Sequence, residues 1–326
     1  MPGWRVSWPP GESTGVSRNG SGRTPPPERR PTIIDGVTDK AASRTAVLVC
    51  QGRAVADGRL AVGRFSDPIA AQLLHDDERA AVRRARAEHP PGGWRERLEY
   101  EMLTATAAVL ATRTVVIDEA IREASAAQLV LLGAGLDGRA WRTDDPAADV
   151  FEVDHPASQR DKRDRVGTLV PVAKSLTYVP VQFGRDDLGA RLTEAGHRAE
   201  ATTTWVWEGV LPYLTQPQVE STLAVVAARS APGSRLIATY PTPNRLAGLG
   251  RAGMRLFSKL SGGRDPLADE PHVSAWSPAD MAALTTRFGL TVTADVELIE
   301  AARRLGVPAR QSRAYGLGRA LIADRA

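Results

Sequence analysis

The stretch Leu129-Val130-Leu131-Leu132-Gly133-Ala134-Gly135-Leu136-Asp137-Gly138-Arg139-Ala140-Trp141-Arg142 decides the fold of this chain. Leu129 to Leu132 is a short apolar run closed by a glycine, as expected of a strand buried on both faces. Gly133, Gly135 and Gly138 follow the G-x-G-x-x-G spacing, and Asp154 ends the next apolar run 21 residues after Gly133. Glycine is needed where a ligand lies against the backbone, because a Cβ there would collide with it.

Working outward, further short strands are predicted at Val150–Val153, Tyr178–Val181, Thr203–Trp207 and Arg235–Ala238, then at Leu290–Val296 and Tyr315–Ile322. Helical patterns separate several of them. Thr215-Gln216-Pro217-Gln218 has capping-box spacing, and Val219, Leu223 and Val226 form one apolar stripe after it. Ser277-Pro278 starts another helix, with Ser as N-cap and Pro at the first helical position. Alternating strand and helix predicts an α/β fold, a parallel doubly wound Rossmann-like sheet.

The sheet is entered late, after a helical extension. Glu96 to Ala124 lacks Pro and Gly, and Ile117, Ala120, Ile121 and Ala124 share one helix face. Residues 1–40, rich in Pro, Gly, Ser and Arg, are expected to be a disordered tail. Residues 41–326 are expected to form one domain: a helical extension (41–127), a cofactor-binding core (128–240), a lid insertion (241–276) and the rest of the sheet (277–326).

By spacing alone, the glycine loop serves a dinucleotide or S-adenosylmethionine, and a ligand-free glycine turn also produces it. The surrounding sequence chooses. Leu132 to Arg142, then Phe151-Glu152-Val153-Asp154-His155-Pro156, then Trp207-Glu208-Gly209-Val210-Leu211-Pro212-Tyr213-Leu214 occur in order. This set resembles the leucine carboxyl methyltransferase-like family of S-adenosylmethionine-dependent O-methyltransferases, including its actinobacterial branch. Gln51-Gly52-Arg53-Ala54 and Phe65-Ser66-Asp67-Pro68-Ile69-Ala70 are similar to its N-terminal region. The family usually has Thr where Gly138 stands, so the third glycine reads as incidental.

The resemblance implies a class I methyltransferase fold, S-adenosyl-L-methionine as cofactor and S-adenosyl-L-homocysteine as product. It places Gly133 and Gly135 against the methionine part and Arg113 opposite its carboxylate, with Arg53 a second candidate. A guanidinium suits such bidentate pairing. Asp154 would hold the ribose diol, an acceptor-only carboxylate facing two hydroxyl donors. Glu152, one pleat away, is expected to face elsewhere. Glu208 would face the methionine ammonium. Gln182-Phe183 stands where the family has Asp-Leu or Asp-Phe at the adenine, so one charge-assisted bond is lost there.

The implied reaction is methylation of a small apolar acid, polyketide-like and belonging to secondary metabolism. A carboxylate acceptor is ionised at neutral pH and needs no general base. That suits a chain whose five histidines are scattered without metal-ligand spacing. His155 reads as a cap on the following turn. Tyr213, just past Glu208, is the one candidate catalytic side chain, on the substrate side. The alternatives are a phenolic O-methyltransferase, a cofactor-binding homologue with lost or changed transfer, and a dinucleotide oxidoreductase.

Composition limits the remaining classes. The 326 residues are 42% hydrophobic and 25% charged, ordinary for a globular protein. A single cysteine, Cys50, excludes an internal disulfide and fits a reducing, cytoplasmic setting. The N-terminus has no apolar signal segment, and no run of apolar residues is long enough to predict a membrane span. The formal charge of +4 and pI of about 9.5 invite a nucleic-acid reading. However, the arginines are scattered and not interleaved with aromatics, so a small-molecule partner is expected instead.

Overall fold

A computed structural model describes residues 44–142, 148–243, 273–308 and 318–326. All of them belong to one compact unit, Val37–Ala326. The expected tail (1–40) and the centre of the expected lid (244–272) lie outside the described residues.

The strands are β1 (Gln128–Leu132), β2 (Asp149–Asp154), β3 (Ser175–Pro180), β4 (Thr203–Trp207), β5 (Arg235–Pro241), β6 (Leu290–Glu297) and β7 (Gly318–Arg325). They form one sheet in the order β3-β2-β1-β4-β5-β7-β6. β1 to β5 pair in parallel, as the alternating pattern predicts. The expectation of parallel pairing throughout fails at one edge, where β7 inserts antiparallel between β5 and β6. An antiparallel neighbour needs no crossover connection, so β7 can pair directly beside β6.

Because strand side chains alternate, each strand feeds both faces. Val130, Leu132, Phe151, Val153, Trp205, Trp207, Leu236 and Ala238 pack on one face against helices α6 (Leu188–Glu194) and α7 (Gln216–Ala228). The predicted stripe Val219, Leu223 and Val226 supplies that contact. Leu129, Leu131, Val150, Val206 and Ile237 point the other way. They meet the N-terminal helices α1 (Arg44–Ala56), α2 (Asp76–Arg86) and α3 (Trp94–Ala124).

Two start signals act as read. Thr215 and Gln218 form the capping box of α7, and Ser277 Oγ accepts from Asp280 N at 3.1 Å at the start of α8 (Pro278–Arg287). The remaining helices are α4 (Arg139–Arg142), α5 (Pro156–Val166) and α9 (Leu298–Arg304).

The sequence reading found no membrane span, yet by length and composition Glu96–Ala124 in α3 is sufficient to cross a bilayer. Its Leu103, Ala107, Ala111, Val115, Ile117 and Ala120 are instead part of the core. Cys50 is buried in α1, where burial pushes its thiol up to about 12. It is a core residue without thiolate reactivity at neutral pH.

Candidate functional site

The strand order reverses between β1 and β4, and in such sheets ligands bind at the carboxyl edge beside that reversal. Asp154 ends β2 at that edge, and the loops leaving β1, β3 and β4 there carry the glycines, Gln182-Phe183 and Glu208.

The glycine loop is held by backbone bonds, with Gly133 N and Ala134 N both donating to Val153 O. Gly133 and Gly135 have φ of +71° and +48°, in the left-handed region that favours glycine. A Cβ on Gly133 would lie 2.2 Å from Val210 Cγ2, and one on Gly135 would lie 3.2 Å from Ala46 Cβ of α1. The third glycine has a packing role. A Cβ on Gly138 would sit 3.2 Å from Asp67 Oδ1 and from Ile69, so the loop's end packs tightly on the extension.

Asp154 closes on the loop from β2. Its Oδ2 accepts from Gly135 N at 2.5 Å and its Oδ1 from His155 N at 2.6 Å. Burial raises its pKa, and those backbone N–H groups oppose the shift. Each oxygen keeps a lone pair for a further donor. His155 is the N-cap of α5, with Nδ1 accepting from Ala157 N, as the sequence reading assigned.

Glu152 does not face elsewhere. Residues two apart on a strand share a face, and Glu152 is fully buried, with Lys162 Nζ of α5 at 2.6 Å from its Oε2.

Glu208, directly after β4, is the hub of the site. Its Oε1 accepts from Arg53 Nη2 at 2.9 Å and from Arg113 Nε at 2.8 Å, and its Oε2 accepts from Arg139 Nη1 at 3.0 Å. Burial would raise this carboxyl, but the three guanidiniums outweigh it and hold Glu208 well below the usual range. Gly209 N donates to Thr239 Oγ1 at 2.9 Å, fixing the turn that aims Glu208.

The sequence reading separated Arg113 and Glu208 into two roles, and the fold puts them in contact. Arg113 uses its Nε for that bond. Its two terminal nitrogens lie 3.9 and 4.0 Å from the position of a Gly209 Cβ, an ordinary contact distance, which places them beside the turn after β4. Arg53, the second candidate, is bonded to Glu208 as closely as Arg113 is.

Sequence reasoning missed the rest of this network. Arg139 bonds Asp137 and donates from Nε to Asp118 at 2.7 Å, and Arg142 donates to Asp118 at 2.6 Å and lies 3.4 Å from Asp67. Four arginines (53, 113, 139, 142) thus face four carboxylates (67, 118, 137, 208), joining α1, α3, the glycine loop and β4. One signal was available. Arg139 opens a helix, where a cation is disfavoured and needs a carboxylate partner.

On β3's side, Gln182 N donates to Asp186 Oδ2 at 2.8 Å, while Phe183 lines a cavity of about 170 Å³ with Val181, Leu188 and Val225. Tyr213 ends a 3₁₀ turn, Leu211–Tyr213, close after Glu208. The two ends of the expected lid are bonded to each other, and the later one also to this turn. Trp276 N donates to Pro241 O at 3.1 Å, and Val273 N donates to Pro212 O at 2.7 Å.

Comparison with known proteins shows the family. The profile of the leucine carboxyl methyltransferase family matches residues 46–227. A Mycobacteroides abscessus protein, provisionally named an S-adenosyl-L-methionine-dependent methyltransferase, is 34% identical over 285 residues, covering 82% of this chain and 86% of that protein. The chain belongs to the leucine carboxyl methyltransferase family.

A shorter match, 42% identical over 131 residues, links this family member to a Mycolicibacterium smegmatis protein of the same provisional name. It covers 39% of this chain and 41% of that relative. The fold matches a Streptomyces avermitilis DUF574 family protein at a TM-score of 0.51 and 12% identity, covering 90% of this chain and 100% of that one. A Thermobifida fusca protein provisionally named a methyltransferase gives 0.50 at 16% identity, covering 89% and 97%.

S-adenosylmethionine is the cofactor of this family. The residues present fit it. Its methionine end carries both charge signs, and the Glu208 network offers both, with Arg53 Nε and Arg139 Nη2 buried and lacking an acceptor.

Proposed function

We propose that this family member is an S-adenosylmethionine-dependent O-methyltransferase that esterifies the carboxylate of a small, largely apolar acid. The observation that carries the reading is the Glu208 hub, which joins Arg53 and Arg113 of the extension to the end of β4 beside the glycine loop.

In this reading Arg113 pairs with the cofactor carboxylate through its terminal nitrogens, with Arg53 and Arg139 fixing the polarity around it. Glu208 receives the ammonium, Asp154 the ribose hydroxyls, and Gln182 and Phe183 the adenine. Gly133 and Gly135 let the backbone lie against the methionine chain. When bound, the cofactor supplies a methyl group on a sulfonium, with S-adenosylhomocysteine as the co-product.

The chain's own contribution to rate is then positioning and exclusion of water. A carboxylate acceptor is supported by the use of His155 as a helix cap, which leaves that neighbour of Asp154 engaged in structure. Tyr213 is assigned to the acceptor, since its turn follows Glu208 and is bonded to the C-terminal end of the 241–276 stretch. A cytoplasmic setting and a role in secondary metabolism complete the reading.

The test is a screen of acids and phenols with isotopically labelled methyl donor, read by mass spectrometry. A methyl ester product with a rate, at saturating methyl donor, flat from about pH 6 to about pH 9 supports carboxylate transfer, because such an acceptor stays ionised throughout. A rate rising steeply over that range identifies a hydroxyl acceptor and sinks the ester reading.

A further inference from the structure

Lys162 is nearly fully buried, yet it belongs to none of the assigned cofactor contacts. Its Nζ donates to the backbone oxygen of Asp137 at 2.7 Å and lies 2.6 Å from Glu152 Oε2. The ammonium also sits 5.3 Å from the centre of the Trp141 ring. Gln159 Nε2, from the same helix, donates to Glu152 O at 2.7 Å.

These contacts form the second half of a clamp. Asp154 holds the start of the glycine loop through Gly135 N, and Lys162 holds its end through Asp137 O. Both grips are anchored in β2, because Glu152 and Asp154 share a face of that strand. A loop fixed at both ends presents its backbone to a ligand without having to be ordered first, and such preorganisation favours binding.

We infer that Lys162 is a positioning residue for the cofactor loop, acting through the Asp137 carbonyl with Glu152 as its counter-ion. This rests on the cofactor reading above and extends it to residues outside the pocket wall.

The electrostatics agree. Burial pushes Glu152 up to about 7, against the pull of Lys162. The charged or titratable groups facing it are Lys162 of α5, Asp137 of the loop, Asp154 of its own strand and Tyr178 of β3. Below neutrality Glu152 takes up a proton, and Lys162 loses its counter-ion. Loop order, and with it cofactor affinity, then follows pH.

Calorimetric titration of the full chain with S-adenosylhomocysteine, between about pH 6 and about pH 8.5, tests this. The wild type is expected to bind about threefold or more tighter at the upper end, whereas Glu152→Gln, nearly isosteric, is expected to show a smaller change. Lys162→Met is expected to weaken binding by about tenfold or more at the upper pH. If that variant does not fold, the Glu152→Gln comparison decides alone. Identical pH profiles for wild type and Glu152→Gln overturn the inference, as does a folded Lys162→Met protein binding within about twofold of wild type. A wild type that binds no S-adenosylhomocysteine at any pH refutes the cofactor reading instead.

Discussion

Arg113 Nε stands 2.8 Å from Glu208 Oε1, so a helix of the N-terminal extension is bonded directly to the end of β4. The extension therefore builds part of the candidate site. Without α1 and α3, Glu208 would lose Arg53 and Arg113 together.

Glu208→Gln removes the charge that three guanidiniums share. Breaking a buried ion pair from one side costs about 3–5 kcal/mol. The unfolding midpoint in urea is expected to fall accordingly with the slope unchanged, and S-adenosylmethionine binding is expected to fall by about tenfold or more. A variant matching the wild type in both measurements would remove Glu208 from the centre of the site.

Gly133→Ala meets a backbone obstacle and a side-chain obstacle, a φ of +71° and a contact of 2.2 Å with Val210 Cγ2. The expected loss is about 2 kcal/mol or more, read as a lower thermal midpoint. Adding Val210→Ala relieves the contact and leaves the backbone strain, so the double variant recovers only part of the loss. Full recovery would show that the contact alone was the obstacle.

Gln182→Asp restores the charge whose loss the sequence reading noted. Calorimetry is expected to show S-adenosylmethionine bound more tightly by about 1 kcal/mol, roughly fivefold. Unchanged affinity would separate residue 182 from the adenine.

The folded pKa of Glu152 is raised from 4.5 to about 7. Its stabilising contribution is therefore fully present below about pH 4.5 and is lost as pH rises through about 7. Relative to Glu152→Gln, the wild type is expected to lose stability across that window, on the order of 3 kcal/mol. Denaturant titrations at several pH values measure this. Cofactor affinity is expected to move the opposite way with pH, so the two effects are separable.

His197 is shifted in the other direction. Burial against Phe151 and Trp205, then the charge of Arg229, pushes its pKa from 6.5 down to about 4. Its neutral imidazole stabilises the fold above about pH 6.5, and that contribution is lost as pH falls through about 4. His197→Gln is expected to flatten the pH dependence of unfolding between those values. An unaltered slope would dismiss His197 as a source of acid lability.

Strand positions were legible because burial on both faces writes a local signature. Thr203–Trp207 matches its predicted bounds, and Thr215 and Ser277 cap the helices their neighbours announce. β7 was less legible. Its antiparallel place between β5 and β6 depends on pairing with distant strands, which its own residues do not encode. Glu152 was misread for a different reason, since the period of two that places it beside Asp154 was available and was misapplied.

The sequence by itself determined that this chain carries a glycine loop after a buried strand, with Asp154 and Glu208 ending later strands at the same sheet edge. Those are local facts, set by apolar runs and by conformations that suit glycine. Only the tertiary structure decided how the charges are shared. Arg53, Arg113 and Arg139 converge on Glu208 from 155, 95 and 69 residues away, and Lys162 meets Asp137 from 25. An isolated arginine is read from sequence as a solvated cation. Burial beside a carboxylate makes it part of a site, and burial is a property of the packed molecule.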